Sequence, residues 1–212
     1  MVILSGLSVL CSIFAFSGCR YVALGDSVGW GDSYVNDVAE GTGADTTNLS
    51  VPWEWLPLLV HNVQNEPSYQ EAIAAADFIT VGIGGNDAMV AHVNCPDAAC
   101  LDQEHALFLS AYGQLLDAIR TQNDHAIVVA LDIYNPFGPS LDADTISRLS
   151  EMNAGIRDAA CSRGMLAAHV FEAFNGADGA GDPGPLIGPD GLHPSPEGHR
   201  AIALAVLSAH CP

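Results

Sequence analysis

The sequence predicts an α/β fold in which a parallel sheet is covered by helices on both faces. Two observations carry that expectation: five short runs of β-type residues are spaced along the chain, and the segments between them are long enough for helices. Strands that alternate with helices form βαβ units, and such sheets bind ligands at the carboxyl ends of their strands. In order, the strands are expected at 21–25, 46–51, 78–83, 126–133 and 165–170. The clearest helix spans 104–120, where Phe108, Ala111, Tyr112, Leu115 and Ile119 recur at helical spacing and form one apolar stripe. Helices at 144–163 and 196–209 follow the same logic, the latter with Ser195 as N-cap and Pro196 at the first helical position. The acidic, glycine-rich stretch 175–188 reads as a solvated loop, because Asp178 and Asp182 lack the regular spacing of calcium ligands.

At 212 residues with 49% hydrophobic content, the chain has apolar mass for one sizeable core and too little length for two ordinary domains. Its one long apolar run sits at the N-terminus and the rest of its apolar excess lies in short stretches broken by Gly and Asp, which rules out a polytopic membrane protein. Six basic residues, none of them lysine, face 25 acidic ones, for a net charge of -19. Such a surface repels phosphate backbones, so nucleic acid is excluded as a partner, and no obligate protein partner is implied. Residues 2–16 are about as long as the apolar region of an export signal and shorter than a spanning helix. Ala15 and Ser17 suit a cleavage site, and Phe16-Ser17-Gly18-Cys19 is a loose bacterial lipoprotein box, so cleavage and a lipid anchor at Cys19 both stand open. Residues 1–19 are thus expected to direct export from a bacterial cell, to the envelope or the medium, and 20–212 to form the domain. Cysteine usage agrees: Cys95, Cys100, Cys161 and Cys211 form an even set suited to an oxidising compartment. Cys95 and Cys100 flank a short turn and are expected to pair, leaving Cys161 to meet Cys211. A zinc site would need further paired spacings, which these cysteines lack.

Three blocks carry chemistry. Gly25-Asp26-Ser27-Val28-Gly29 follows the first strand and satisfies the pattern of a nucleophile elbow, yet an ordinary α/β-hydrolase places its elbow after several strands. Asp190-Gly191-Leu192-His193-Pro194 stands just before the last helix, and the carboxylate comes three residues before an imidazole that it can orient by a tight turn. A serine hydroxyl is a poor nucleophile without such a base, and both blocks are placed at the same sheet edge. Gly84-Gly85-Asn86-Asp87 follows the third strand at that edge, where the Asn86 amide can donate to an oxyanion alongside the Ser27 backbone N–H.

Together, in this order and spacing, the blocks resemble the SGNH hydrolases, also called GDSL esterases and lipases, over nearly the whole chain after the N-terminal segment. The resemblance implies a three-layer α/β/α sandwich on a five-stranded, flavodoxin-like parallel sheet. It also implies a cofactor-free hydrolase that takes carboxyl esters of lipids, small molecules or acylated glycans. Carried over by position, Ser27 is the nucleophile, His193 the base, Asp190 its partner and Asn86 an oxyanion donor. The family usually has a glycine after the second strand, and Asn48-Leu49-Ser50-Val51-Pro52-Trp53 has none, with Trp53 near the expected place. A bulky residue there opposes the backbone angle that glycine allows, and a missing oxyanion donor costs about 3 kcal/mol. That departure supports a competing class, an exported binding domain with a degenerate site. Trp30 is a candidate wall of an acyl pocket, and Asp26 is expected to brace the turn. His61, His92, His105, His125, His169, His199 and His210 show no metal-ligand spacing and read as surface or structural histidines.

Overall fold

The structure, a computed structural model, describes residues 18–211. The segment 2–16, expected to direct export, lies outside the described residues.

Five strands form one parallel sheet in the order β2-β1-β3-β4-β5, the flavodoxin-like order. They are β1 (Arg20–Gly25), β2 (Asp45–Asn48), β3 (Phe78–Gly82), β4 (Ile127–Leu131) and β5 (Leu166–Ala168). The helices are α1 (Tyr34–Thr42), α2 (Leu56–Asn65), α3 (Pro67–Ala75), α4 (Gly85–Asn94), α5 (Ala98–Gln122), α6 (Ala143–Cys161), α7 (Val170–Asn175) and α8 (Pro196–Leu207). Short 3₁₀ turns stand at Gly138–Ser140 and Gly184–Leu186.

Alternation along the strands builds two cores. Val22, Leu24, Ile79, Val81, Val128 and Ala130 pack against α2, α3, α5 and α6, whereas Tyr21, Ala23, Phe78, Val129, Leu131 and Ala168 pack against α1, α7 and α8. The central strands are buried on both faces, which is why they read as continuous apolar runs. β2 is the exposed edge and ends at Asn48, short of Val51. Leu49 and Val51 still donate to the Ala23 and Gly25 carbonyls, but the Asn48 side chain accepts the Ser50 N–H at 3.0 Å and bends the chain out of the strand.

Both expected disulfides form, Cys95–Cys100 across the α4–α5 turn and Cys161–Cys211 between the end of α6 and the chain beyond α8. Cys19 is only 3% exposed, and its carbonyl accepts the Asp45 N–H at 2.7 Å at the foot of the sheet. Among the described residues, no helix is long and apolar enough to cross a membrane.

Candidate active site

Ser27 stands in the turn that follows β1. A Cβ on Gly25 would lie 2.3 Å from the Gly82 carbonyl oxygen, so only glycine lets the ends of β1 and β3 approach this closely. Asp26 braces the turn, as expected: its Oδ1 accepts the Val28 N–H at 2.9 Å, and the Gly29 N–H donates to the Asp26 carbonyl. Burial pushes the Asp26 carboxyl up to about 6. The turn sets Ser27 Oγ 3.0 Å from His193 Nε2.

His193 comes from a loop closed by the Ile187–Pro194 bridge and turned at Gly191, whose φ of 74° suits glycine. Within it Asp190 Oδ2 faces His193 Nδ1 at 2.6 Å, and Oδ1 accepts the N–H groups of Leu192 and His193, each at 3.0 Å. These bonds, led by that to the imidazole, hold the Asp190 carboxyl down at about 2. A carboxylate fixed at Nδ1 assigns the ring proton to that nitrogen and leaves Nε2 to accept from the Ser27 hydroxyl. The tyrosine hydroxyl of Tyr134 donates to the Leu192 carbonyl at 2.9 Å, which ties this loop to the segment after β4.

Asn86 enters on the first turn of α4. The chain reaches it through Gly84 at φ 123°, where a Cβ would press on the Phe108 ring at 2.6 Å. Asn86 Nδ2 donates to the Glu54 carbonyl at 2.9 Å, and an amide NH₂ has a second hydrogen to donate. Asp87 accepts the Leu56 N–H at the start of α2, and burial raises its carboxyl above the ordinary range. Blocks one, two and three therefore converge, and the loop after β2 is stitched to the third.

That loop corrects one expectation. Trp53 has φ 64°, the one positive value at a non-glycine among the described residues, so a bulky side chain does take the left-handed corner. Its side chain is 73% exposed, which lets the ring lie outside the turn. Trp30, the candidate wall of an acyl pocket, is 59% exposed and stands outside the set of residues that line the cavity described below.

Ser27, Asn86 and His193 open on a cavity of about 180 Å³. Its apolar wall is built by Met89, Leu101, Ile133, Phe137, Leu141 and Leu149, to which the sequence pattern assigns no part in binding. His92 and His105, expected to be ordinary surface or structural residues, line it too. The signal that was available lies in α4, where Asn86, Met89 and His92 follow at intervals of three and share one helix face. Among the described residues no group of three side chains is arranged to hold a metal. Chemically, a hydroxyl beside an oriented imidazole, with an amide donor at the mouth of an apolar cavity, suits nucleophilic attack on an acyl group.

Residues 13–201 match the GDSL-like Lipase/Acylhydrolase family. The chain belongs to that family. This acylhydrolase is 26% identical to the uncharacterised protein YpmR of Bacillus subtilis strain 168, over 88% of this chain and 79% of that protein. Its fold is shared with the lipase Lip_vut3 from a goat rumen metagenome, at a TM-score of 0.74 and 21% identity over 88% of this chain and 95% of that one. It is shared also with the acetylxylan esterase Axe2 of Geobacillus stearothermophilus, at a TM-score of 0.67 and 19% identity over 90% and 93%. The acylhydrolase is thus an enzyme of the GDSL/SGNH type on a three-layer α/β/α sandwich.

Proposed function

We propose that this enzyme is an exported serine esterase that cleaves carboxyl esters through an acyl-enzyme. The observation that carries the reading is the continuous relay from Asp190 Oδ2 through His193 to Ser27 Oγ, opening on an apolar cavity. As Ser27 Oγ bonds to the ester carbon, its proton passes to His193 Nε2, and Asp190 stabilises the imidazolium. The oxyanion takes hydrogen bonds from the Asn86 amide and the Ser27 backbone N–H. Collapse expels the alcohol with the proton held by His193. Water then attacks the acyl-enzyme, with His193 again the base, and releases the acid.

Neutral lipid esters, small-molecule esters and acylated glycans all present this chemistry, and the net charge of -19 favours a neutral substrate. Export is supported by the apolar segment 2–16 and by the two disulfides, which suit an oxidising compartment. The test is hydrolysis of neutral aryl esters and an acetylated glycan by the wild type and Ser27→Ala, with fluorophosphonate labelling mapped by mass spectrometry. The expected outcome is a label on Ser27 and a loss of at least ~10⁴ in kcat for the variant. Turnover that ignores the substitution overturns the mechanism, and no turnover by either protein favours a binding domain with a degenerate site.

A further inference from the structure

The reacting ester carbon has three directions to fill. Its carbonyl oxygen turns to Asn86, and the departing alcohol must reach His193, whose side chain is 41% exposed beside the 53% exposed Asp190. The acyl group is left with the direction of the apolar wall. Along that direction Asn86, Met89 and His92 line the cavity at intervals of three on α4, so the slot runs beside somewhat less than two turns of the helix, about 9 Å from the oxyanion amide.

A cross-helix ion pair also borders the cavity. After His92, α4 ends, and the Cys95–Cys100 bridge turns the chain directly into α5, where Leu101 and His105 line the cavity on one face. Asp102, between them in sequence, pairs with Arg148 of α6, and Arg148 Nε also donates to Asp144 at 2.9 Å. Arg148 lines the cavity with only 17% of its side chain exposed. His105 and Arg148 both line the cavity, and burial first, then the Arg148 charge, hold the His105 imidazole below its ordinary range. With two carboxylates on one guanidinium, this end does not attract an anionic tail.

We propose that Arg148, held across α5 and α6 by Asp102 and Asp144, is the floor of the acyl pocket and sets the longest acyl group the enzyme accepts. An extended chain advances a little over 1 Å per bond, so a 9 Å slot holds an unbranched, uncharged acyl group of about six to eight carbons. Longer chains meet the Arg148 guanidinium, and the apolar wall gives acetyl too little contact to be the preferred acyl group. The inference rests on the serine mechanism proposed above.

The experiment measures kcat/KM for neutral aryl esters with acyl groups from two to sixteen carbons, read as ratios within each protein so that a general change in activity cancels. The wild type should peak at about six to eight carbons. Arg148→Ala should raise the ratio of twelve to six carbons at least about tenfold, since each methylene admitted to an apolar site is worth about fourfold. Met89→Trp, which fills the slot one turn beyond Asn86, should lower the ratio of eight to two carbons by a similar factor. A second readout, binding of long-chain alkyl esters to Ser27→Ala with and without Arg148→Ala by displacement of an apolar dye, needs no turnover. Ser27-dependent turnover with a flat or acetyl-preferring profile, or ratios that neither variant moves, overturns the acyl floor and leaves the mechanism standing. A chain-length limit in binding that Arg148→Ala shifts, without turnover of any ester, supports the floor and overturns the mechanism.

Discussion

At the scale of single residues, the proposed mechanism divides its work between a charge and a donor. Asp190→Asn keeps the side-chain shape but removes the anion that assigns the His193 tautomer and stabilises the imidazolium. It should lower kcat by ~10³ to 10⁴ with little change in substrate affinity. Asn86→Ala removes a donor that matters once the oxyanion forms, so the expected loss is ~10² to 10³ in kcat, again with ground-state binding nearly unchanged. Steady-state kinetics on one ester, with folding checked by circular dichroism, compares the two. Near wild-type kcat for Asn86→Ala would remove the middle block from the oxyanion hole. Asp190 is held down at about 2, so a loss of activity in mild acid does not come from protonation of this carboxylate. A rate that climbs steadily on acidification would contradict a histidine base. Ser27 and Asn86 were legible from sequence because their blocks follow β1 and β3 directly, where strand geometry fixes the sheet edge, and Asp190 and His193 because their close spacing before the last helix lets one turn face a carboxylate to an imidazole. The place of Trp30 was not, since closeness to Ser27 along the chain does not put a side chain on the cavity wall. Trp53 carried the opposite lesson: an exposed side chain leaves even a bulky residue able to pay for a left-handed corner, at about 1–2 kcal/mol.

At the scale of elements, the two disulfides act on different parts of the fold. Cys161–Cys211 closes a 50-residue loop and fastens the chain beyond α8 to the end of α6, whereas Cys95–Cys100 closes a loop of five at the α4–α5 corner. Loop entropy makes the first worth about 4 kcal/mol and the second about 2 kcal/mol. Urea unfolding of the paired Cys161→Ala/Cys211→Ala and Cys95→Ala/Cys100→Ala variants should rank them in that order, and equal losses would show that native-state contacts outweigh the unfolded chain. The central strands and the three long helices were legible because burial on two faces, or on one stripe, writes itself into the order of apolar residues. α5 nonetheless begins at Ala98, six residues before the expected start, since Asp97 caps it through the Cys100 N–H. The helices α2 and α3 follow each other almost without a break, each opening on an early proline, and neither is long enough to show a sustained period. α4 has no fully buried residue, because its apolar side faces a cavity and not a core. The cavity wall was illegible for a related reason: it is assembled from α4, α5, α6 and the segment after β4, which only the tertiary fold brings together.

At the scale of the whole molecule, electrostatics should make this enzyme more stable in mild acid than at neutrality. Twenty-five acidic and six basic residues on one domain repel one another near pH 7, and acidification reduces that repulsion. Asp26 adds a local contribution of the same sign. Its carboxyl titrates at about 6 in the folded chain and near 4 when unfolded, so between those values the folded state holds a proton that the unfolded state has lost. Stability therefore falls as pH rises through that window, by about 3 kcal/mol when the full shift is counted, because the charged form is buried away from water. Farther into acid the trend reverses. Asp190, Asp117 and Asp142 are held below the ordinary carboxylate range, by the His193 imidazole, the Arg163 guanidinium and the Thr145 backbone N–H respectively. Stability from such groups is present above the unfolded value and is lost as pH falls through the folded one. The opposing slopes place the maximum near about pH 5. Asp26→Asn separates the local part from the global one, since its amide oxygen still accepts the Val28 N–H but cannot ionise. From pH 5 to pH 7.5, urea unfolding should show the variant gaining about 1.4 kcal/mol on the wild type. That gain should persist in high salt, which screens the surface charges but not a carboxyl 5% exposed. A gap between the two proteins that does not change with pH would mean that Asp26 ionises as easily folded as unfolded. A gap that salt abolishes would assign the whole pH dependence to the net charge.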